Sequence, residues 1–183
     1  EDLLGRNPIE PNPTLLDKNI KNKITLVTGA GGSIGSELCH NILKRYPKKL
    51  ILIETSEFNL YKIEQKLNDY KIKKNLNVEI LPVLGSIQDR FLLERIFSTL
   101  NIDTIFHAAA YKHVPLIERN IIEGIKNNVY GTKLLIDFSI KYNIKKFVLI
   151  SSDKAVRPTN YMGATKRVAE ILCLLGNQKQ NKT

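Results

Sequence analysis

No apolar run in this sequence approaches membrane-spanning length, which excludes a transmembrane helix built from these residues. The opening residues carry no signal-peptide pattern. Cysteine is scarce: Cys39 and Cys173 are the only two. Both fall in helical apolar patterns and read as small core residues, a usage that fits a reduced, cytoplasmic setting. Histidine is nearly as rare, and nothing in its placement resembles a metal site. The balance of 28 basic and 18 acidic side chains leaves a net charge of +10. Yet no aromatic-interleaved basic motif accompanies that excess, and the lysines are spread along the whole chain. They read as a solvated surface that favours an anionic substrate, with no nucleic-acid partner. Internal repeats and a second domain are also absent. The 183 residues suit one α/β domain. The first residue is Glu1, not methionine, so the chain is expected to be cut from something longer.

What is present centres on Lys23-Ile-Thr-Leu-Val-Thr-Gly-Ala-Gly-Gly-Ser-Ile-Gly35. A β-rich run over Ile24 to Thr28 feeds glycines at 29, 31, 32 and 35. A helical pattern then starts at Ser33, with Ile34, Leu38, Ile42 and Leu43 on one face. A strand turning sharply into a helix points orphan N–H groups and the positive end of the helix dipole at one spot, which suits a phosphate. The spacing is Gly29-x-x-Gly32-x-x-Gly35 rather than the commoner G-x-G-x-x-G. Glycine-rich turns also serve purely structural ends, so the motif alone leaves both readings open.

Residues 1–22 hold three early prolines and little periodicity. They read as an extended arm anchored by Leu3, Leu4 and Ile9. The main domain is expected over 23–176, followed by a polar tail over 177–183. The second strand, Leu50 to Glu54, ends on a carboxylate 25 positions after Gly29, where an adenosine ribose would be held; a charge that merely ends a strand is the alternative. Leu60, Ile63 and Leu67 line the next helix. The third strand, Val78 to Leu84, contains Pro82, which cannot donate to a ladder and so belongs at a sheet edge. That position fits a doubly wound parallel sheet of order 3-2-1-4-5. A helix over 89–99 precedes the fourth strand, Asp103 to His107, and then Ala108-Ala-Ala110. Those alanines admit a flat group against the backbone or simply start a helix. A long helical pattern runs from Ile121 to Tyr142. The fifth strand is Lys146 to Ser151, with Ser151-Ser-Asp-Lys154 at its carboxyl tip, and a final helix spans Tyr161 to Leu175.

Four blocks now stand together: Thr28 to Gly35, Phe106 to Pro115, Asn128 to Thr132, and Ser151 to Lys166. Together they resemble the extended short-chain dehydrogenase/reductases, and within them the UDP-N-acetylglucosamine 4,6-dehydratases of the CapD-like polysaccharide biosynthesis group. The opening Glu1-Asp-Leu-Leu-Gly-Arg6 is similar to the segment before the catalytic domain in the large membrane-bound branch. The resemblance implies a Rossmann-like domain truncated before a C-terminal substrate-binding region, and hence little turnover by this chain alone. It also implies a full-length protein anchored on the cytoplasmic face of a membrane that these residues do not themselves contact. A homo-oligomer formed through the 121–142 and 161–175 helices is expected.

The same resemblance distributes roles. Gly29, Gly32, Ser33, Ile34 and Gly35 would hold the dinucleotide. Glu54, Ser56, Gly85, Ser86 and Ile87 would surround adenosine, and Ala108, Ala109, Ala110 and Asn128 would lie along the rest. Lys166 would sit on the nicotinamide ribose. The cofactor is expected to be NAD, with NADP the alternative. Asp153 and Lys154 would perform the dehydration and Ser152 would hold the C4 oxygen of a UDP-sugar. NAD would take hydride from C4 and return it to C6. Lys154, as a neutral amine, would remove the acidified C5 proton. Asp153 is expected to be a protonated acid in a partly apolar site, releasing the C6 hydroxyl. Where a Tyr-x-x-x-Lys is usual, Met162 stands four residues before Lys166. The first base is therefore expected to be Asp153, directly or through Ser152 or water. A nucleotide-sugar epimerase and a non-catalytic dinucleotide-binding module are the alternatives. His107 and His113 read as structural residues.

Overall fold

Five parallel strands, β1 (Ile24–Thr28), β2 (Lys49–Glu54), β3 (Glu79–Leu84), β4 (Thr104–His107) and β5 (Lys146–Leu149), form one sheet in the order β3-β2-β1-β4-β5. This is the architecture of the computed structural model, which describes residues 12–180. Pro82 lies opposite Leu52 on the outermost strand, where its missing N–H breaks no ladder. Register is set by alternation: Leu26 and Val27 are both fully buried, but they serve opposite faces. On one face α2 (Ser33–Leu43) and α3 (Glu57–Lys73) cover Val27, Leu50 and Leu52 with Cys39, Ile42, Leu43 and Leu67. On the other, α4 (Arg90–Thr99) and α7 (Thr132–Lys141) cover Leu26, Ile51 and Ile105 with Leu93, Phe97, Leu135 and Phe138. Each such side chain removed from water contributes about 2 kcal/mol before entropy is counted.

Several boundaries differ from the expectations. Residues 13–20 are not an extended arm; they form a helix, α1 (Pro13–Ile20). Pro13 occupies the first helical turn, where its lost N–H has no partner to miss, and Asn12 accepts a hydrogen bond from the Leu15 N–H at 3.2 Å. Leu3, Leu4 and Ile9 lie outside the described residues. Ile34, assigned to the apolar face of α2, is half exposed at the helix start, and Cys173 is only partly buried. The helix expected over 121–142 is continuous from α6 (Ile121–Ile125) through a π-turn over Lys126–Gly131 into α7, and a separate short helix, α5 (Val114–Arg119), precedes it. The last helix, α8 (Tyr161–Gln180), runs through the start of the expected polar tail. Among the described residues no helix is long and apolar enough to cross a membrane.

Among the described residues, one buried side-chain oxygen lacks a partner. The Thr25 hydroxyl is fully buried in β1 and makes no hydrogen bond. A desolvated hydroxyl of this kind costs on the order of 1 kcal/mol or more. Thr25→Val keeps the shape, and the expected result is a chain about 1 kcal/mol more stable in urea titration. A loss of stability would show that the hydroxyl is satisfied in solution.

Candidate active site

The carboxyl end of β1 opens into the glycine turn. Gly29 has φ +66°, and a Cβ there would lie 2.7 Å from the Ala109 backbone, so both conformation and space require glycine. A Cβ on Gly35 would meet the Gly29 oxygen at 1.9 Å, so α2 packs directly against the turn that feeds it. Gly32 caps α2 without a side-chain hydrogen bond. The first N–H groups of α2 therefore have no intrahelical acceptor, and they face the cleft mouth with the positive end of the helix. Lys112, from the segment after β4, places its ammonium 3.2 Å from the Ser33 hydroxyl at this helix end. Cation and helix terminus together form a receptor for anionic oxygens.

Beside the turn lies a cleft of about 200 Å³, lined by glycines 29, 32 and 85, Ile53, Glu54, Thr55, Asn59, Ile87, the three alanines 108–110, Tyr111 and Asn127. Small residues form its floor, and Glu54 enters from the end of β2. One Glu54 oxygen, Oε2, accepts the Gly31 N–H at 2.9 Å. The other, Oε1, accepts the Thr55 and Ser56 N–H groups at 2.9 and 3.1 Å and the Thr55 hydroxyl at 3.2 Å. Thus Oε1 is saturated, and Oε2 keeps one lone-pair direction for a ligand hydroxyl. A cleft floored by small residues, with an anion receptor adjoining it and a carboxylate at one edge, fits a dinucleotide.

The π-turn decides which asparagine faces the cleft. Its wider winding lets the adjacent Asn127 and Asn128 both point inward. Asn127 lines the cleft and accepts from Gln88 Nε2 at 3.3 Å. Asn128, the expected ligand, instead clamps the protein. It accepts from the Tyr111 N–H at 2.8 Å, and its amide donates to the Tyr111 carbonyl at 2.9 Å and the Thr165 hydroxyl at 3.0 Å. The loop after β4 and α8 are thereby tied to one side chain. Ser56 and Ser86 likewise serve the chain, accepting from the Asn59 and Gln88 N–H groups at 3.3 and 3.1 Å.

Past the tip of β5, Ser152 caps a short 3₁₀ turn over Asp153–Ala155. Asn160 then accepts the Gly163 N–H at 2.8 Å and starts α8. A Cβ on Gly163 would lie 2.2 Å from the Lys154 carbonyl, so α8 presses on the turn that carries the acidic–basic pair. Asp153 is held by the Ser152 hydroxyl at 3.0 Å and the Lys154 N–H at 2.9 Å, with the Lys154 ammonium 3.8 Å away. Its carboxyl is solvated, not buried in an apolar site. The hydrogen bond from Ser152, and then the Lys154 charge, hold it below the usual carboxylate range. The expected protonated resting acid is therefore corrected: Asp153 stands ionised, because water and donors surround it.

On α8, Met162 and Lys166 are both buried while Tyr161 is half exposed, as their helical spacing requires. Lys166 donates to the Ile150 carbonyl at 2.6 Å, and burial lowers its pKa. In this arrangement the ammonium is parked on the residue just past β5 and does not line the cleft. The expected residues Gly29, Gly32, Glu54, Gly85, Ile87 and the three alanines do meet there. Ser33, Ile34 and Gly35 build the adjoining helix end. Thr55, Asn59, Tyr111, Lys112 and Asn127 were missed. Among the described residues no group of His, Cys, Asp and Glu forms a metal site.

The model of the family described as polysaccharide biosynthesis protein matches residues 25–183. The capsular polysaccharide biosynthesis protein CapD of Staphylococcus aureus is 44% identical over the whole chain, which spans 30% of that protein. A UDP-N-acetylglucosamine 4,6-dehydratase (inverting) of Campylobacter jejuni is 32% identical over 157 residues, covering 85% of this chain and 44% of that protein. The UDP-glucose 4-epimerase of Bifidobacterium longum, solved with NAD+ and UDP, superposes with a TM-score of 0.69 at 27% identity, over 83% of this chain and 48% of that one. The chain thus spans less than half the length of these relatives.

Proposed function

This chain belongs to the polysaccharide biosynthesis protein family, and we propose that it forms the cofactor-binding and catalytic part of a nucleotide-sugar 4,6-dehydratase acting on UDP-N-acetylglucosamine. The observation that carries this reading is the Asp153–Lys154 pair, set on a capped turn at the carboxyl tip of β5, where open parallel sheets place their chemistry. The cofactor is NAD, as in the epimerase complex. Glu54 Oε2 and the small-residue floor hold its adenosine end, and the α2 terminus with Lys112 holds its phosphates. When bound, NAD supplies a hydride acceptor for C4 of the sugar and the hydride that ends on C6.

The remaining steps are acid–base chemistry for this chain's residues. An ionised Asp153 suits the role of base toward the C4 hydroxyl, with Ser152 as the hydroxyl beside it. Having taken that proton, Asp153 is a carboxylic acid and returns it to the departing C6 hydroxyl. One proton is carried from C4 to the leaving water, and no raised resting pKa is needed. Lys154, once it has given up its ammonium proton, removes the C5 proton when the neighbouring C4 is a ketone, and the ammonium so formed returns a proton to C5 as the hydride reaches C6. Met162 cannot carry a proton, and its burial leaves Asp153 as the base. The helices over 121–142 and 161–175 expose Ile122, Ile125, Ile171 and Leu174, and through this face a second copy would pair.

The full-length protein incubated with UDP-N-acetylglucosamine in deuterated water tests the reading. A dehydratase takes solvent deuterium at C5 and loses the C6 oxygen. Retention of that oxygen with inversion at C4 would show an epimerase, and an unchanged sugar a non-catalytic module.

Glu54 also sets the cofactor form. It would repel a 2′-phosphate, and its one open lone pair accepts a ribose hydroxyl. NAD+ should bind more tightly than NADP+ in calorimetric titration. Glu54→Gln should weaken NAD+ about tenfold without gaining NADP+, because an NH2 group would then face backbone donors. Tighter NADP+ binding by the unaltered chain would remove Glu54 from this role.

A further inference from the structure

His107 is the one fully buried histidine-centred polar chain in the described fold, and the dehydration chemistry does not use it. Its Nδ1 lies 2.7 Å from the Thr28 hydroxyl and its Nε2 lies 2.8 Å from the Thr132 hydroxyl. The proton positions follow from the outer partners. The Thr132 hydroxyl donates to the Asn128 carbonyl at 2.7 Å, so its single proton is committed and it accepts from the ring. His107 is therefore the Nε2–H tautomer, and its Nδ1 accepts from the Thr28 hydroxyl. That hydroxyl in turn accepts the Ala109 N–H at 3.4 Å. The order runs Ala109 N–H, Thr28, His107, Thr132, Asn128 carbonyl, each group donating to the next. Burial, and then the charge of Lys166, keep the ring uncharged by lowering its pKa to about 3.

This chain of bonds begins and ends in segments that form the cleft. Thr28 is the last residue before the glycine turn, Ala109 lies on the cleft floor, and Asn128 belongs to the π-turn that presents Asn127. We propose that His107 is a positioning residue for the dinucleotide: as the neutral Nε2–H tautomer it holds the glycine turn, the alanine floor and the π-turn in the one arrangement that makes the cleft. The inference rests on reading that cleft as the dinucleotide site. A doubly protonated ring, or the other tautomer, would present a donor to the Thr28 side and leave the buried Thr28 hydroxyl proton without its acceptor. A buried, directional chain with every member satisfied has few alternative arrangements.

Thr132 provides the sharpest test, since it is buried and does not line the cleft. Thr132→Val preserves shape but removes the hydroxyl that His107 and Asn128 share; Thr132→Ser restores it. Calorimetric titration with NAD+, at a temperature where circular dichroism shows each variant folded, should give affinity about tenfold weaker for Thr132→Val. Thr132→Ser should return to within about twofold of the unaltered chain, on the same scale. A purely structural role would lower the melting temperature and leave the affinity of the folded protein unchanged, and that result would overturn the proposal. Should Thr132→Val not fold, nitrogen-15 NMR of the imidazole in the unaltered chain decides. The Nε2–H pattern supports the relay, and the Nδ1–H or charged ring refutes it. If the unaltered chain does not bind NAD+, the function proposed above fails, while the tautomer measurement still judges the hydrogen-bond order.

Discussion

Asp153→Asn in the full-length enzyme should abolish both oxidation at C4 and loss of the C6 hydroxyl, lowering turnover by on the order of a thousandfold or more. Both effects are expected because the same carboxylate takes the first proton and gives it back at the second step. Asparagine keeps the shape and accepts the Ser152 hydroxyl, but it has no proton to exchange. Lys154→Ala should behave differently. Its amine acts only at C5, after the ketone exists, so a C4-oxidised sugar should form, be trapped by borodeuteride reduction, and carry no solvent deuterium at C5. Tyr161→Phe should stay within a few-fold of the unaltered enzyme, because its ring points away from the buried face shared by Met162 and Lys166. Normal elimination in Asp153→Asn would remove the carboxylate from the mechanism. A large loss of C4 oxidation in Tyr161→Phe would make Tyr161 the first base.

The strand order was legible because two local rules agreed. A glycine turn after β1 and a proline in β3 together place β1 inside the sheet and β3 at its edge. The floor of the cleft was legible only through the family resemblance, because three alanines after a strand serve equally well as a helix start. The misses came from signals with two meanings. Pro13 marks a break and also a helix start, and only the Asn12 cap separates the two. Asn127 and Asn128 are neighbours, so a regular helix would turn one of them outward; the π-turn that buries both carries no distinctive spacing. Tyr111, Thr55 and Asn59 reach the cleft, and Lys112 the helix start beside it, through tertiary placement alone. The ionisation of Asp153 depends on solvent exposure, which residue order does not encode.

The buried imidazole that orders the cleft also makes the fold sensitive to mild acid. In the folded chain His107 protonates only near pH 3, whereas an unfolded histidine does so near 6.5. Between those values the unfolded state binds one proton more than the folded state, so stability falls as the pH drops through that window. Above about pH 6.5 both states are neutral here and the effect vanishes. The slope is about 1.4 kcal/mol per pH unit, which amounts to about 2 kcal/mol at pH 5 and on the order of 4–5 kcal/mol near pH 3. Lys166 is the charge facing the ring, and it adds to the penalty because it stands positive beside a second cation. The exposed Asp153 and the partly exposed Glu94 and Glu170 have lowered pKa values, and their stabilisation is also lost in acid, as the pH falls through and below the ordinary carboxylate range. The interval from pH 7 to 5 therefore isolates the histidine. Urea titrations across it should show the midpoint falling with pH, and His107→Gln should flatten the dependence. A flat profile in the unaltered chain would mean that the folded protein accepts a charged imidazole at this position, contrary to the burial and bonding that surround it.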